Sequence, residues 1–156
     1  IIGLDMSLPQ AFDKYRANQL LYKILQLAAN LGLSRWLYSP DKEIHSLSND
    51  SLNLKERSIY KALFYRRPLS NAIIKEAEEV KSNAKLVKQD KVTAIPYLLF
   101  VSNGQGTGFA KQEWQDMSKD FAKEHKNVQL KLFEVPHYIH SYIPDELAKE
   151  IRKFLK

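Results

Sequence analysis

The sequence predicts an α/β protein with a small, mostly parallel sheet and an inserted helical block, and three observations predict it. Strand-like runs, apolar or alternating, occur at residues 1–4, 94–101 and 128–132. The later two are each followed by a helical pattern, and strands alternating with helices imply a parallel sheet. Between the first and second runs lie about 85 residues of helical character, too many for a single crossover helix.

Composition narrows the class. The 156 residues suit one domain, and shares of 44% apolar and 27% charged residues are those of an ordinary globular protein. No run of about 18 apolar residues exists, so no membrane-spanning helix is expected. The absence of cysteine removes disulfides, thiolate chemistry and Cys-based zinc sites, and the expected compartment is the cytoplasm. The net charge of +6 raises the question of a nucleic-acid partner. The basic residues are spread among glutamates in blocks no longer than two, so we expect a solvated basic surface and neither nucleic acid nor membrane as partner.

Taken in order, residues 1–4 (IIGL) read as a buried parallel strand closed by Asp5, Ser7 and Pro9. The chain opens on this strand, as a piece of something longer would. Leu20, Leu21, Ile24, Leu25, Ala28 and Leu31 fall at helical spacing, and Gly32 is a C-terminal stop. A short helical piece is expected at 34–38, then a polar loop at 39–53. Asn53 with Glu56 forms a capping box for a helix through Phe64, ended by Arg66, Arg67 and Pro68. An amphipathic helix over 69–84 carries Ile73, Ile74, Ala77 and Val80. The second strand, AIPYLLFV, runs into the glycine-rich SNGQGTG, and Ala110, Trp114, Met117 and Phe121 mark a helix face. Val128, Leu130 and Leu132 alternate as a third strand. Pro144 then opens a helix over 144–155 with Leu147, Ala148, Ile151, Phe154 and Leu155 inward.

Three strand ends carry polar groups: Asp5, the loop at 102–108, and His137. A parallel sheet brings all three to one edge, where such sheets place their ligands. A carboxylate there can fix the tautomer of an imidazole and leave its second nitrogen as a base. The plainer readings are a turn or cap for Asp5 and an ordinary loop histidine for His137. GQGTG lacks the lysine of a phosphate-binding loop and the spacing of a dinucleotide fingerprint. His137 and His140 could hold a metal at i, i+3, yet no third ligand lies near in sequence. No cofactor or metal is therefore expected. His45 and His125 read as surface residues, and Glu76, Glu78 and Glu79 as the solvated side of a helix.

The chain resembles the C-terminal half of an α/β-hydrolase with a helical cap. IPYLLFVSNG resembles the penultimate strand of that family. HYIHSYIP resembles its histidine loop, in which the catalytic histidine precedes a helix-opening proline by seven residues, as His137 precedes Pro144 and His140 does not. GLDMSLP resembles the strand end where some members place the catalytic acid. The resemblance implies core segments at 1–9 and 85–156, a cap at 10–84, and Asp5 and His137 as catalytic acid and base in the family's order. It implies an ester or related acyl substrate with an apolar portion, against which aromatics of the insertion (Phe12, Tyr15, Trp36, Tyr38, Tyr60, Phe64 and Tyr65) would stand. Two positions depart from the pattern. The loop after the penultimate strand offers Asn103 and Gln105 where the family more often has its acid, and Pro136 stands where a glycine usually precedes the histidine. The serine elbow G-x-S-x-G is absent, so the nucleophile would come from an upstream N-terminal half, and the chain would pack against that half or a second copy. The other reading is a binding module of the same fold with a decayed triad.

Overall fold

A computed structural model describes residues 1–13, 15–37, 39–48, 51–66, 69–89 and 94–156. The expected contributions of Tyr38, Arg67 and Pro68 lie outside the described residues. The chain divides into two units: Ile1–Tyr15 with Ser82–Lys156, and Arg16–Lys81.

The first unit is mixed α/β around a parallel three-stranded sheet. Its strands are β1 (Ile2–Leu4), β2 (Tyr97–Val101) and β3 (Val128–Leu132), in the spatial order β1-β2-β3. Ile2 stands opposite Leu98 and Leu4 opposite Phe100; Tyr97 stands opposite Val128 and Val101 opposite Leu132. All five residues of β2 are buried, as a central parallel strand requires when both faces are covered. The sequence run 94–101 is longer than the strand, since residues 94–96 lie outside the ladder.

Alternation along β2 sends Leu98 and Phe100 to one face. There they pack with Ile139 and Leu147, backed by Ile143, Ile151 and Phe154. Leu147, Ile151 and Phe154 come from the helix Pro144–Phe154, where Pro144 sits at the first turn, Asp145 and Glu146 follow it, and Arg152 and Lys153 fill the last turn. Leu155, expected inward, lies past the helix end and is exposed. On the other face Val101 packs with Trp114 of the helix Lys111–Glu124 and with Ala11 and Phe12 of a single 3-10 turn, Pro9–Phe12. That contact groups Phe12 with the sheet unit, although the sequence placed it in the insertion. β3, like β1, is an edge strand of this sheet, and Leu132 at its end is exposed.

The second unit is helical. Its first helix, Gln19–Asn30, is capped by the Asn18 side chain, which accepts from Leu21 N at 3.0 Å. The helix ends as Gly32 predicts: Gly32 has φ +77°, Gly32 N donates to Ala29 O, and Leu33 N donates to Ala28 O. Its leucine and isoleucine stripe forms the expected helix but buries no residue. The expected loop at 39–53 instead holds two four-residue helical turns, Pro40–Glu43 and His45–Ser48, which seat Pro40 and Leu47 in the interior. The Asn53 capping box is formed both ways: Asn53 N donates to Glu56 Oε2 at 2.8 Å and Glu56 N to Asn53 Oδ1 at 3.0 Å. The helix it starts runs Leu54–Arg66, and the next runs Asn71–Gln89, beyond the expected end at 84. Gln26 Nε2 ties the first helix to Leu69 O at 2.7 Å and to Asn71 Oδ1 at 2.9 Å.

Candidate active site

The parallel register brings three strand ends together. Asp5 directly follows β1, Ser102 follows β2, and Phe133 follows β3 on the way to His137. The ladder continues one step past the strands, because Asp5 N donates to Phe100 O at 2.8 Å and Phe133 N to Val101 O at 2.8 Å. Asp5 then turns sharply, with φ +52°, a left-handed conformation that aspartate tolerates better than most residues.

This turn drops the Asp5 carboxylate into the interior, where the residue is only 2% exposed. A buried carboxylate is costly unless its oxygens are bonded. Oδ1 accepts from Ser102 N at 2.7 Å and from Trp114 Nε1 at 2.9 Å. Oδ2 is left for His137, whose Nδ1 lies 2.6 Å away. An ionised carboxylate can only accept, so Nδ1 carries a proton, and in the neutral imidazole Nε2 keeps its lone pair. The imidazole side chain is 25% exposed, so it is partly open to the cavity it borders.

Two loops hold His137 in place. His137 N donates to Gln105 O and Asn103 N to Val135 O, so the loop after β2 and the loop after β3 are laced on either side of Pro136. Proline has no N–H to offer, and neither bond needs one from it. The ring of Trp114 meets the His137 ring edge to face, with centroids 6.2 Å apart and planes at 87°. The Tyr138 ring also meets it, with centroids 4.5 Å apart, and Tyr138 is itself left-handed, with φ +63°. Among the described residues, Asp5 and Tyr138 are the non-glycine positions with positive φ, and both belong to this site.

The glycine-rich loop is built for close approach. Gly104, Gly106 and Gly108 all have positive φ. A Cβ on Gly104 would lie 3.0 Å from Trp114 Cβ, so glycine there lets the indole reach Asp5. Four of its amides are engaged within the loop: Gly104 N on Ser102 Oγ, Gln105 N on Asn103 Oδ1, Thr107 N on Gly104 O, and Phe109 N on Thr107 Oγ1. Asn103 uses its side-chain carbonyl in this turn. His140 is exposed and meets the Tyr138 ring edge to face. Among the described residues no three His, Asp or Glu side chains converge as a metal site.

A cavity of about 460 Å³ lies against the couple, walled by Ser7, Ala11, Phe12, Tyr15, Gly106, Thr107, Phe109, Trp114, His137 and Tyr138. Of the aromatics expected at the substrate, Phe12 and Tyr15 are on this wall. Tyr60 and Phe64 border a separate shallow depression in the helical unit, and Trp36 is 91% exposed. Sequence reasoning paired Asp5 with His137 but passed over Ser102 and Trp114 as partners of the acid. A buried indole needs some acceptor for its N–H, but the sequence does not say which one.

No family model, no curated protein and no solved structure matches this chain. No helix among the described residues is long and apolar enough to cross a membrane.

Proposed function

We propose that this chain carries the acid and base of a serine hydrolase of the α/β-hydrolase class, with His137 as general base and Asp5 as its orienting acid. The observation that carries the reading is the 2.6 Å contact between Asp5 Oδ2 and His137 Nδ1 at the carboxyl end of a parallel sheet, beside a cavity. In this reading the sheet is the last part of a larger hydrolase sheet, the helical unit is its cap, and the protein works in the cytoplasm.

The chemistry follows from the proton positions. Nε2 takes the proton of a serine hydroxyl as its oxygen bonds to the acyl carbon, and the imidazolium so formed is stabilised by Asp5. The imidazolium then protonates the departing alcohol as the acyl–oxygen bond breaks. In the second half Nε2 takes a proton from water, whose oxygen attacks the acyl-enzyme, and returns that proton to the serine. The 156 residues contain no G-x-S-x-G, so the serine and the oxyanion-binding amides are supplied by further polypeptide, either an N-terminal half or a second chain. Phe12, Tyr15, Phe109 and Trp114 on the cavity wall suit an ester with an apolar acyl portion.

Replacing His137 by Ala in the full-length protein abolishes turnover of a p-nitrophenyl ester in this reading. Turnover near wild type in that variant removes it. The second reading, a binding module without chemistry, rests on Asn103, whose side chain closes a local turn where the family more often has a carboxylate. It predicts that the full-length protein lacks a G-x-S-x-G and that His137→Ala leaves ligand binding intact.

A further inference from the structure

We infer that Trp114 is the positioning residue of the Asp5–His137 couple, acting through its indole N–H on Asp5 Oδ1 and so setting the strength of the hydrogen bond between Oδ2 and His137 Nδ1. The inference rests on the reading of that couple as acid and base, and goes beyond it by assigning a role to a side chain on the neighbouring helix. Three observations carry it. Trp114 Nε1 donates to Oδ1 at 2.9 Å while His137 uses Oδ2, so the two rings hold opposite oxygens of one carboxylate. Trp114 is 3% exposed, and its ring also meets the imidazole edge-on. Gly104 leaves the space that allows the approach.

The physical consequence has a sign. A donor on Oδ1 draws negative charge away from Oδ2 and locks the carboxylate against rotation. With that N–H removed, Ser102 N remains the single donor on Oδ1, and more charge faces His137. A more negative acceptor opposite the Nδ1 proton strengthens that hydrogen bond. Asp5 meets the His137 ring at Nδ1, and the Tyr138 ring lies beside it with centroids 4.5 Å apart.

The test replaces Trp114 by 3-benzothienylalanine, which keeps both rings and lacks the N–H, with Trp114→Phe as a second variant. The Nδ1 proton of His137 is followed by NMR in wild type and in both variants, and thermal unfolding checks that each folds. The expected result is a downfield shift of that proton in the isosteric variant, in the direction set by the freed carboxylate charge. A folded isosteric variant whose Nδ1 proton overlays wild type, or moves upfield, overturns the inference. The readout needs no substrate. An unchanged Nδ1 proton with intact ester turnover would overturn this role and leave the hydrolase reading, whereas a downfield shift in a full-length protein without turnover would do the reverse.

Discussion

The backbone amide of Ser102 donates to Asp5 Oδ1 at 2.7 Å, so the end of the central strand pins the carboxylate at the end of its neighbour. Because Trp114 Nε1 donates to the same oxygen, this side of residue 5 accepts only an acceptor. Asp5→Asn must therefore keep its amide oxygen toward Ser102 and Trp114 and turn its NH2 toward His137. Nδ1 then becomes the acceptor, and the proton moves to Nε2. In the hydrolase reading the base is then lost without loss of the fold, and turnover in the full-length protein falls by about 10⁴, the scale seen when an analogous substitution imposes the wrong tautomer. Nitrogen NMR of the His137 ring reads the tautomer directly, and an unchanged Nδ1–H form in Asp5→Asn would contradict the geometry.

Gly104 and Gly32 separate two costs of a side chain at positive φ. Gly32 has open space around its missing Cβ, so Gly32→Ala meets only the left-handed backbone, about 1 kcal/mol. Gly104→Ala adds contact with Trp114 at 3.0 Å and must push the indole away from Asp5. Urea unfolding should show the larger loss for Gly104→Ala, and the emission of Trp114 should shift in that variant alone. Equal losses with unchanged emission would mean that Trp114 is not held there.

The central strand sets the stability of the sheet unit. Phe100 is wholly buried between Leu98, Ile139 and Leu147, so Phe100→Ala is expected to cost roughly 3–5 kcal/mol. Leu132, exposed on an edge strand, is expected to stay within about 0.5 kcal/mol on replacement by Ala. Comparable midpoints in urea for the two variants would show that the core is not centred on β2.

Glu150 supplies a pH dependence. The Lys131 ammonium at 2.9 Å, helped by Lys153, holds its carboxyl below the usual carboxylate range. A carboxyl depressed in the folded state adds stability above its unfolded pKa, and that increment is lost as pH falls through its folded pKa. Lys131→Gln should therefore narrow the gap between neutral and acid stability, and added salt should shrink the difference in the wild type. Thermal midpoints followed from neutral pH into the acid range check this. A parallel pair of curves would contradict it.

The candidate site was legible in part because its ingredients sit at the ends of local patterns. β1 and β3 reveal themselves by short apolar or alternating runs, and each is followed within five residues by a member of the couple, Asp5 or His137. The spacing from His137 to Pro144 separates it from His140 before any geometry is known. Ser102 and Trp114 were not legible as partners of Asp5. An amide has no sequence signature, and an indole reads as core whether or not its N–H has an acceptor.

The sequence by itself determined the elements whose causes are local. The Asn53–Glu56 box, the Gly32 stop, the Pro144 start and the acidic-to-basic run of the last helix each act within a few residues, and each stands as written. Tertiary structure decided what depends on pairing across the chain. The 2.6 Å meeting of Asp5 with His137 spans 132 positions and exists because β1 and β3 flank the same strand in parallel register. The exposure of Leu132 and Leu155 is decided there too, since an alternating or helical pattern names a face but not whether anything covers it. Local chemistry chooses strand, helix and cap. Only the packed sheet chooses which strand ends share a cavity.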